Sequence, residues 1–435
     1  MINTRWAWVV GSIAAAGAIM LSGCGTTAYN AQANLDDASD IEPYMWSLSV
    51  SRHAEQPFST DRVDIVFSEA TALLYSDDNR CPDVACPVTF TRDGAVNTFD
   101  FGDSILSTEA QLDVVFEEPE DFKIVTMMLG VCGTARPGSV AVVLGCAYRG
   151  GSVVIAEGAD PDVWAHEWGH VQGLNHRDDC ESNVMHSYEL NTDAVSATEC
   201  RAFATPTPSS GLFRKATAVA EPEYADLDPR PDESHRRWLE RVTAHRYLSG
   251  IPEDVIVRNG DAETANLLLE LLANSEAEQV RGNIARALGF AANPAAVPVL
   301  IGQLTDANGD VSPAALGAYA EMILALGRLV DVDPTDTAID FLLAGINADF
   351  WPGLRLVSDD VVIGEGDAAL ARVCITALGL TAHPAALSRL TALQESLAES
   401  RVQTTWLSAQ VDEALLRFAG EPIESEFGPK GCVHE

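Results

Sequence analysis

Short apolar stretches recur through the first half of the chain. Residues 62–67 alternate apolar and polar positions, which is the pattern of a half-buried β-strand. Further apolar runs follow at residues 112–116, 123–129, 139–144 and 151–156. Each of these runs has the length of a strand, and together they predict a mixed β-sheet.

A helix is predicted directly after the last of these runs. Asp160 is a good N-cap, and Pro161 suits the first helical position. Gly173 ends the helix, because glycine adopts a positive φ at little cost. Trp164 and Trp168 lie four residues apart and share one face. We therefore expect both indole rings to pack into the core behind the helix.

This helix carries the residues with the clearest chemistry. His166 and His170 project from one face, where both can bind a single zinc ion at about 2.0–2.1 Å. The turn at Gly173 brings His176 back as a third ligand. Glu167 lies beside the metal position and suits the role of general base toward water. The fourth coordination position stays open for water and substrate.

The stretch from His166 to His176, followed by Met185 nine residues later, resembles the signature of the metzincin zinc endopeptidases. The short interval to Met185 is most similar to the matrixin branch. The resemblance implies an α+β catalytic domain with a twisted sheet and two long helices above a cleft, and a turn at Met185 beneath the ligands. It also implies a strand on the upper rim of the cleft that pairs with extended substrate, for which residues 139–144 are the candidate.

Residues that follow the motif leave two alternatives open. Asp178 or Asp179 could orient a liganding imidazole through its other nitrogen, or both could lie in a solvated loop. His186 follows Met185, but three histidines and water already complete a tetrahedral catalytic site. We expect His186 to face the loop.

An internal repeat organises the second half of the chain. Residues 287–296 recur nearly intact as residues 377–386, with a looser copy at residues 325–327. Each copy predicts an amphipathic helix, a glycine turn and a proline that opens a second helix. The pattern resembles HEAT-like repeats and predicts an all-α solenoid over residues 235–418, with an insertion between residues 347 and 366.

The N-terminal residues predict export from the cytoplasm. Arg5 precedes an apolar run, and Leu21-Ser22-Gly23-Cys24 closes it. The tetrapeptide resembles the lipobox of bacterial lipoproteins, which implies cleavage before Cys24 and its lipidation. We therefore expect a protein of the bacterial cell envelope that is anchored to a membrane through Cys24. The alternative is an ordinary membrane anchor or an ordinary cleaved signal, but the run is shorter than the roughly 20 residues of a span.

The cysteine count agrees with an oxidising compartment. Nine cysteines minus Cys24 leave eight, an even number. Spacing along the chain suggests three disulfides in the catalytic segment and, by elimination, a fourth whose first member could instead be a buried thiol. The suggested pairs are Cys81 with Cys86, Cys132 with Cys146, Cys180 with Cys200, and Cys374 with Cys432.

Length and composition divide the chain into two folded parts with flanking segments. The predicted segments are a signal peptide (1–23), a tether (24–60), the zinc peptidase domain (61–200), a linker (201–234), the repeats (235–418) and a tail (419–435). The net charge of -37 argues against binding to nucleic acid or anionic lipid, because both are negative.

These observations predict a lipid-anchored zinc endopeptidase that hydrolyses a protein or peptide substrate. The alternative is an inactive surface scaffold whose repeats bind a protein partner. The repeats could also serve as a spacer, because a fold does not dictate its function. An intact Glu167 favours the enzyme.

Overall fold

The computed structural model describes residues 41–56, 58–76, 83–100, 104–132, 140–147, 151–177, 180, 182–186, 192–206, 227–245, 247, 250–261, 263–351, 353–358, 361–399 and 405–419. The predicted signal peptide and Cys24 lie outside these residues. Within the described ranges, no helix is both long enough and apolar enough to cross a bilayer.

The first folded part mixes strands and helices. Its strands are β1 (Tyr44–Leu48), β2 (Val50–His53), β3 (Val88–Arg92), β4 (Asn97–Phe99), β5 (Ile105–Leu106), β6 (Phe122–Val125), β7 (Met127–Leu129), β8 (Val142–Val143), β9 (Gly145–Ala147) and β10 (Val153–Ala156). Its helices are α1 (Thr60–Leu74), α2 (Glu109–Phe116), α3 (Pro161–Val171) and α4 (Ala197–Phe203).

Five strands form the main sheet in the order β4-β2-β6-β10-β9. The first four run parallel, and β9 at the edge is antiparallel to β10. Smaller pairings join β1 to β3 and arrange β5, β7 and β8 in a second sheet. The prediction of a mixed sheet is confirmed.

Aromatic side chains fix α1 and α3 on one face of the main sheet. Phe122 of β6 stacks on Trp164 with ring centroids 4.9 Å apart and on Trp168 at 5.6 Å. Phe67 of α1 meets Trp164 edge to face at 5.6 Å. Both tryptophans are buried, which confirms their predicted role in the core.

The predicted strand at residues 62–67 is wrong, because this stretch lies in α1. Ile65, which the alternation placed inside, is 51% exposed. Ser59 caps the first turn of α1, because its side chain accepts from Arg62 N–H. The buried residues of α1 follow helical spacing; they are Val63, Val66, Phe67, Ala70 and Leu74. Residues 112–116 are likewise helical, because Thr108 and Gln111 form a capping box at the start of α2.

Two segment boundaries also differ from prediction. Strand β2 lies inside the main sheet, so the α/β part begins before residue 61 and includes part of the predicted tether. Leu227 lies within the predicted linker, but it is buried in the core of the helical part. The indole N–H of Trp238 donates to its carbonyl at 2.7 Å.

The second folded part is a stack of helices, as the repeat pattern predicted. Its helices are α5 (His235–Ala244), α6 (Glu253–Asn259), α7 (Thr264–Asn274), α8 (Glu278–Phe290), α9 (Ala296–Thr305), α10 (Pro313–Leu329), α11 (Thr337–Gly345), α12 (Gly366–Leu378), α13 (Pro384–Glu399) and α14 (Thr405–Ala419). The predicted insertion contains β12 (Arg355–Ser358) and β13 (Val361–Glu365), which form a sheet with β11 (Asp310–Val311).

Alternate helices pack side by side in two rows. We call α8, α10, α12 and α14 the inner row. The repeated glycines set the distance between successive inner-row helices, since a Cβ added to any of them would collide with the next helix. Such a Cβ would lie 3.0 Å from Ala325 Cα at Gly289, 2.6 Å from Ala377 O at Gly327 and 2.7 Å from Ala414 O at Gly379. The predicted glycine turn is therefore wrong for Gly289 and Gly327, which lie inside helices.

The disulfide pattern differs from prediction in all but one pair. Cys132 pairs with Cys146 as predicted. Cys86 pairs with Cys200, so the predicted pairs of Cys86 with Cys81 and of Cys200 with Cys180 are wrong. Cys180 is also disulfide-bonded. Cys374 is a buried free thiol, so its predicted bond to Cys432 is wrong.

Charged side chains of the inner row bind the backbone of the α/β part. Arg286 Nη1 and Arg328 Nη2 donate to the carbonyl of Val140 at 2.8 and 2.7 Å. Glu321 Oε1 accepts from the N–H of Val142 at 3.0 Å. The repeats thereby bind backbone groups of Val140 and Val142. Residues 139–144 were predicted to form the substrate-binding rim, and these contacts argue against that role for Val140 and Val142.

A second contact joins α14 to the α/β part. Glu413 accepts from the N–H of Glu109 at 2.9 Å, at the start of α2. Arg417 donates to Glu413 at 3.1 Å and to the carbonyl of Gly130 at 3.2 Å. Glu413 and Arg417 are buried, so the contact lies inside the protein. The described residues of the two parts belong to one compact unit.

This contact predicts a pH dependence of stability. Burial raises the pKa of Glu413 from 4.5 to about 7, although Arg417 and the Glu109 N–H oppose the shift. Below about pH 4.5 the carboxyl is protonated in both folded and unfolded chains. Between 4.5 and 7 only the folded chain holds the proton, so the free energy of unfolding falls as the pH rises, by at most about 3 kcal/mol in total.

The measurement compares the parent with Glu413→Gln in urea titrations at pH 5 and pH 8. The parent is expected to lose more stability than the variant over this interval. The difference between the two slopes isolates Glu413 from the other titrating groups. Equal losses in both proteins would contradict the prediction.

Candidate metal centre

Helix α3 presents the predicted ligands from a rigid base. Asp160 is extended at the N-cap position and Pro161 opens the helix, as predicted, although the Asp160 side chain makes no capping hydrogen bond to the helix. The helix ends before Gly173, whose φ of 86° lies in the left-handed region. The chain then turns back toward the helix and brings His176 to its face.

Three imidazoles converge at this turn. His170 Nε2 lies 3.0 Å from His166 Nε2 and 3.0 Å from His176 Nε2. In a tetrahedral site with zinc to nitrogen bonds of about 2.0–2.1 Å, ligand nitrogens stand roughly 3.3 Å apart. The three nitrogens are therefore spaced as the ligands of one metal ion. Within the described part of the chain, these three residues form the only such group of histidine, cysteine and acidic side chains.

The partners of the opposite ring nitrogens show that these contacts are not hydrogen bonds. His166 Nδ1 faces the carbonyl of Val184 at 2.7 Å, and His170 Nδ1 faces that of Leu174 at 3.0 Å. A carbonyl oxygen only accepts, so each Nδ1 carries the proton of a neutral ring and each Nε2 offers a lone pair. Two lone pairs 3.0 Å apart repel each other unless a cation lies between them.

Burial keeps the central ligand neutral. It lowers the pKa of His170 from 6.5 to about 4, and the hydrogen bond to Leu174 offsets only part of this effect. A neutral imidazole is the form that binds a metal. The donor set fits zinc, which favours imidazole nitrogen in tetrahedral sites.

The side chain of Glu167 extends from α3 toward the edge strand β9. Its side chain is 1% exposed. A Cβ added to Gly145 would lie 2.6 Å from Glu167 Cγ and 2.7 Å from Oε1, so the carboxylate rests directly on the backbone of β9. Only glycine permits this approach. Gly145 was not singled out from the sequence, because its contact with Glu167 depends on the sheet.

The orientation of β9 follows from its pairing with β10. The N–H of Ala156 donates to the carbonyl of Leu144 at 2.9 Å. Because backbone groups alternate in direction along a strand, those of Gly145 and Ala147 point to the outer edge. Strand β9 is the last strand of the main sheet among the described residues. The strand beside Glu167 is therefore β9 and not the predicted stretch at residues 139–144.

Met185 lies directly beneath the metal helix. It is fully buried, and a Cβ added to Gly169 would lie 2.3 Å from its Sδ. Its carbonyl accepts from the N–H of Arg177 at 2.8 Å. The turn at Met185 thus packs on the helix between His166 and His170 and holds the segment that follows His176.

A polar network fixes this turn to α4. Met185 N–H donates to Asn183 Oδ1 at 2.7 Å, and Asn183 Nδ2 donates to Glu199 at 2.9 Å. Glu199 also forms a capping box with Ser196. The Ser-x-x-Glu spacing of 196 and 199 is a sequence signal for a helix start that was not used in the prediction. Cys200 then ties α4 to Cys86.

The remaining predicted residues are placed as follows. His186 is buried but does not join the three-histidine group. Asp178, Asp179 and the lipidation candidate Cys24 lie outside the described residues.

Comparison with known proteins identifies only the helical part. A family model described as HEAT repeats matches residues 265–358. These residues run from α7 into β12, so the resemblance to HEAT-like repeats is confirmed for this stretch. No curated protein and no solved structure matches the chain.

Proposed function

We propose that this protein is a zinc-dependent endopeptidase with a metzincin-like catalytic domain. The observation that carries the proposal is the convergence of the Nε2 atoms of His166, His170 and His176 near Glu167, a buried glutamate of α3. When bound, zinc polarises a carbonyl oxygen and makes water a stronger nucleophile near neutral pH.

The roles of the protein's own groups follow from their positions. His166, His170 and His176 would hold the ion, and two of them are oriented by backbone carbonyls. Glu167 would accept the proton of the attacking water at its carboxylate and pass it to the leaving amine. The outer edge of β9 supplies backbone groups beside Glu167, on which an extended peptide could pair.

The mixed sheet with α1 and α3 on one face supports the metzincin assignment. The buried turn at Met185 does so as well, because the resemblance implies a methionine below the ligands. The disulfides of the α/β part support a protein that works outside the cytoplasm. Together with the lipobox at Cys24, they favour an enzyme anchored to a membrane of the bacterial envelope.

Zinc analysis and chelation test the proposed function. We expect one zinc ion per folded chain by elemental analysis and cleavage of casein that a chelator abolishes and added zinc restores. His170→Ala should lose the zinc, because two imidazoles hold it too weakly. Folded protein that binds no transition metal would overturn the proposal, as would a zinc-loaded parent that cleaves no protein or peptide.

A further inference from the structure

A cavity of about 130 Å³ lies between the start of β9 and the inner row of the repeats. Val142, Leu144 and Ala156 line it from the α/β part. Gly282 of α8 and Gly317 of α10 line it from the repeats. Leu144 directly precedes Gly145, on which the carboxylate of Glu167 rests. The cavity thus adjoins the strand that flanks the candidate catalytic residue.

The cavity walls are small and mostly apolar. Gly282, Gly317 and Ala318 line the cavity from α8 and α10, and Leu144 and Met127 line it from the α/β part. An apolar cavity of about 150 Å³ in a protein core accommodates benzene. The volume here is therefore of the size that holds one aromatic ring.

One carboxylate in the cavity wall has an oxygen atom that accepts no hydrogen bond within the described residues. Glu321 is 6% exposed and lines the cavity. Its Oε1 accepts from Val142 N–H and lies 3.5 Å from Arg286 Nη1. Its Oε2 is buried and has no hydrogen-bond partner among the described residues. A buried carboxylate oxygen without a donor is costly, so a ligand that supplies an O–H or N–H would be favoured there.

We propose that this cavity binds an aromatic side chain with a hydrogen-bond donor, a tyrosine of the peptide substrate, which donates to Glu321 Oε2. Arg286 and Arg328 lie close to the carboxylate and exclude a cationic side chain from this role. The assignment to substrate rests on the proposed peptidase function. A substrate paired along β9 passes Leu144 and can place one side chain in the cavity.

The binding experiment uses p-cresol and toluene as probes of the zinc-loaded full chain. Both fit the volume, but only p-cresol has an O–H. We expect p-cresol to bind at least about tenfold more tightly than toluene, because a hydrogen bond to a charged acceptor adds that much affinity. Glu321→Gln retains an acceptor for Val142 N–H and can turn its amide donor toward the ligand. This variant should weaken the preference for p-cresol, because a neutral amide replaces the charged acceptor.

Gly317→Leu tests the position of the site without relying on charge. The nearest atom to a Cβ added at Gly317 is Val142 Cγ1 at 3.9 Å, so a side chain can begin there without a clash, and we expect leucine to occupy the cavity. Its matched control is Gly302→Leu in α9, where an added Cβ has no neighbour within 4 Å. Gly317→Leu should abolish binding of both probes, whereas Gly302→Leu should leave it unchanged. Probe affinity that is equal in these two variants overturns the proposal.

Cleavage of a peptide library connects the cavity to substrate choice. The parent should show enrichment of tyrosine at one fixed position near the scissile bond. Gly317→Leu should lose this enrichment, with about tenfold lower kcat/KM for aromatic peptides and an unchanged value for peptides without them. A parent that binds p-cresol but cleaves nothing overturns the proposed function alone. A profile that is identical in parent and Gly317→Leu overturns the role of the cavity in substrate choice.

Discussion

Replacing Glu167 with glutamine is expected to lower peptide cleavage by about 10²- to 10⁴-fold while zinc stays bound, as is typical for loss of a general base. Glutamine has nearly the same shape as glutamate, so it fits between α3 and Gly145, where the carboxylate is buried. It cannot accept a proton from water. Backbone carbonyls orient His166 and His170, so we expect at least these two ligands to keep their positions in the variant.

The measurement combines kcat/KM on a casein-derived peptide with zinc content and thermal unfolding of the same preparation. A useful control is Glu278→Gln on the first turn of α8, which removes one carboxylate far from the motif in sequence. The control should keep full activity. If Glu167→Gln retained more than a tenth of the parent rate with zinc bound, Glu167 would not be the base and the hydrolytic mechanism would need another residue.

The metal centre was predictable because its parts are local in sequence. Helical spacing places His166 and His170 on one face, and Gly173 returns His176 within a single turn. The buried position of Trp164 followed from the same periodicity. Where a motif spans one helix and one turn, geometry is set by the backbone alone and the sequence is sufficient.

The parts that failed or were missed depend on contacts between distant residues. Cys86 bonds to Cys200, 114 residues away, whereas the prediction joined each of them to a near neighbour. Gly145 and Glu167 meet only because β9 lies at the edge of the sheet beside α3. A six-residue window also mistook the first turns of α1 for a strand, because alternation and helical spacing coincide over so short a stretch.

The role of the repeats also depends on contacts between residues that are distant in the sequence. Their sequence predicted stacked helices, and it left open a surface for partners or a spacer. In the structure, the inner row binds Val140 and Val142 of the same chain through buried charges. Arg286 lies 146 residues from Val140 in the sequence, so no sequence pattern within a short window predicts this contact. The inner row therefore has a partner within the chain, and the repeats brace the segment that leads into β9.

Replacing Arg286 with methionine is accordingly expected to destabilise the whole protein by about 3 kcal/mol or more, the usual cost of removing one member of a buried ion pair. Arg286 is 3% exposed and donates to the carbonyls of Ile251 and Val140. It also lies 3.5 Å from Glu321 Oε1. Methionine fills much of the same volume but leaves the buried carboxylate of Glu321 without this ion-pair partner and the carbonyl of Ile251 without this donor.

Urea titrations followed by far-ultraviolet circular dichroism and by zinc release measure this effect in both folded parts. Because Arg286 joins the helices to the strand that precedes Gly145, both signals should shift together to lower urea. Arg236→Met is the matched control: Arg236 is an exposed arginine of α5 that pairs with Glu240 and Glu270, and surface ion pairs contribute little. Its transitions should coincide with those of the parent. A shift confined to the helical signal would show that the two parts fold independently and that the repeats do not support the metal centre.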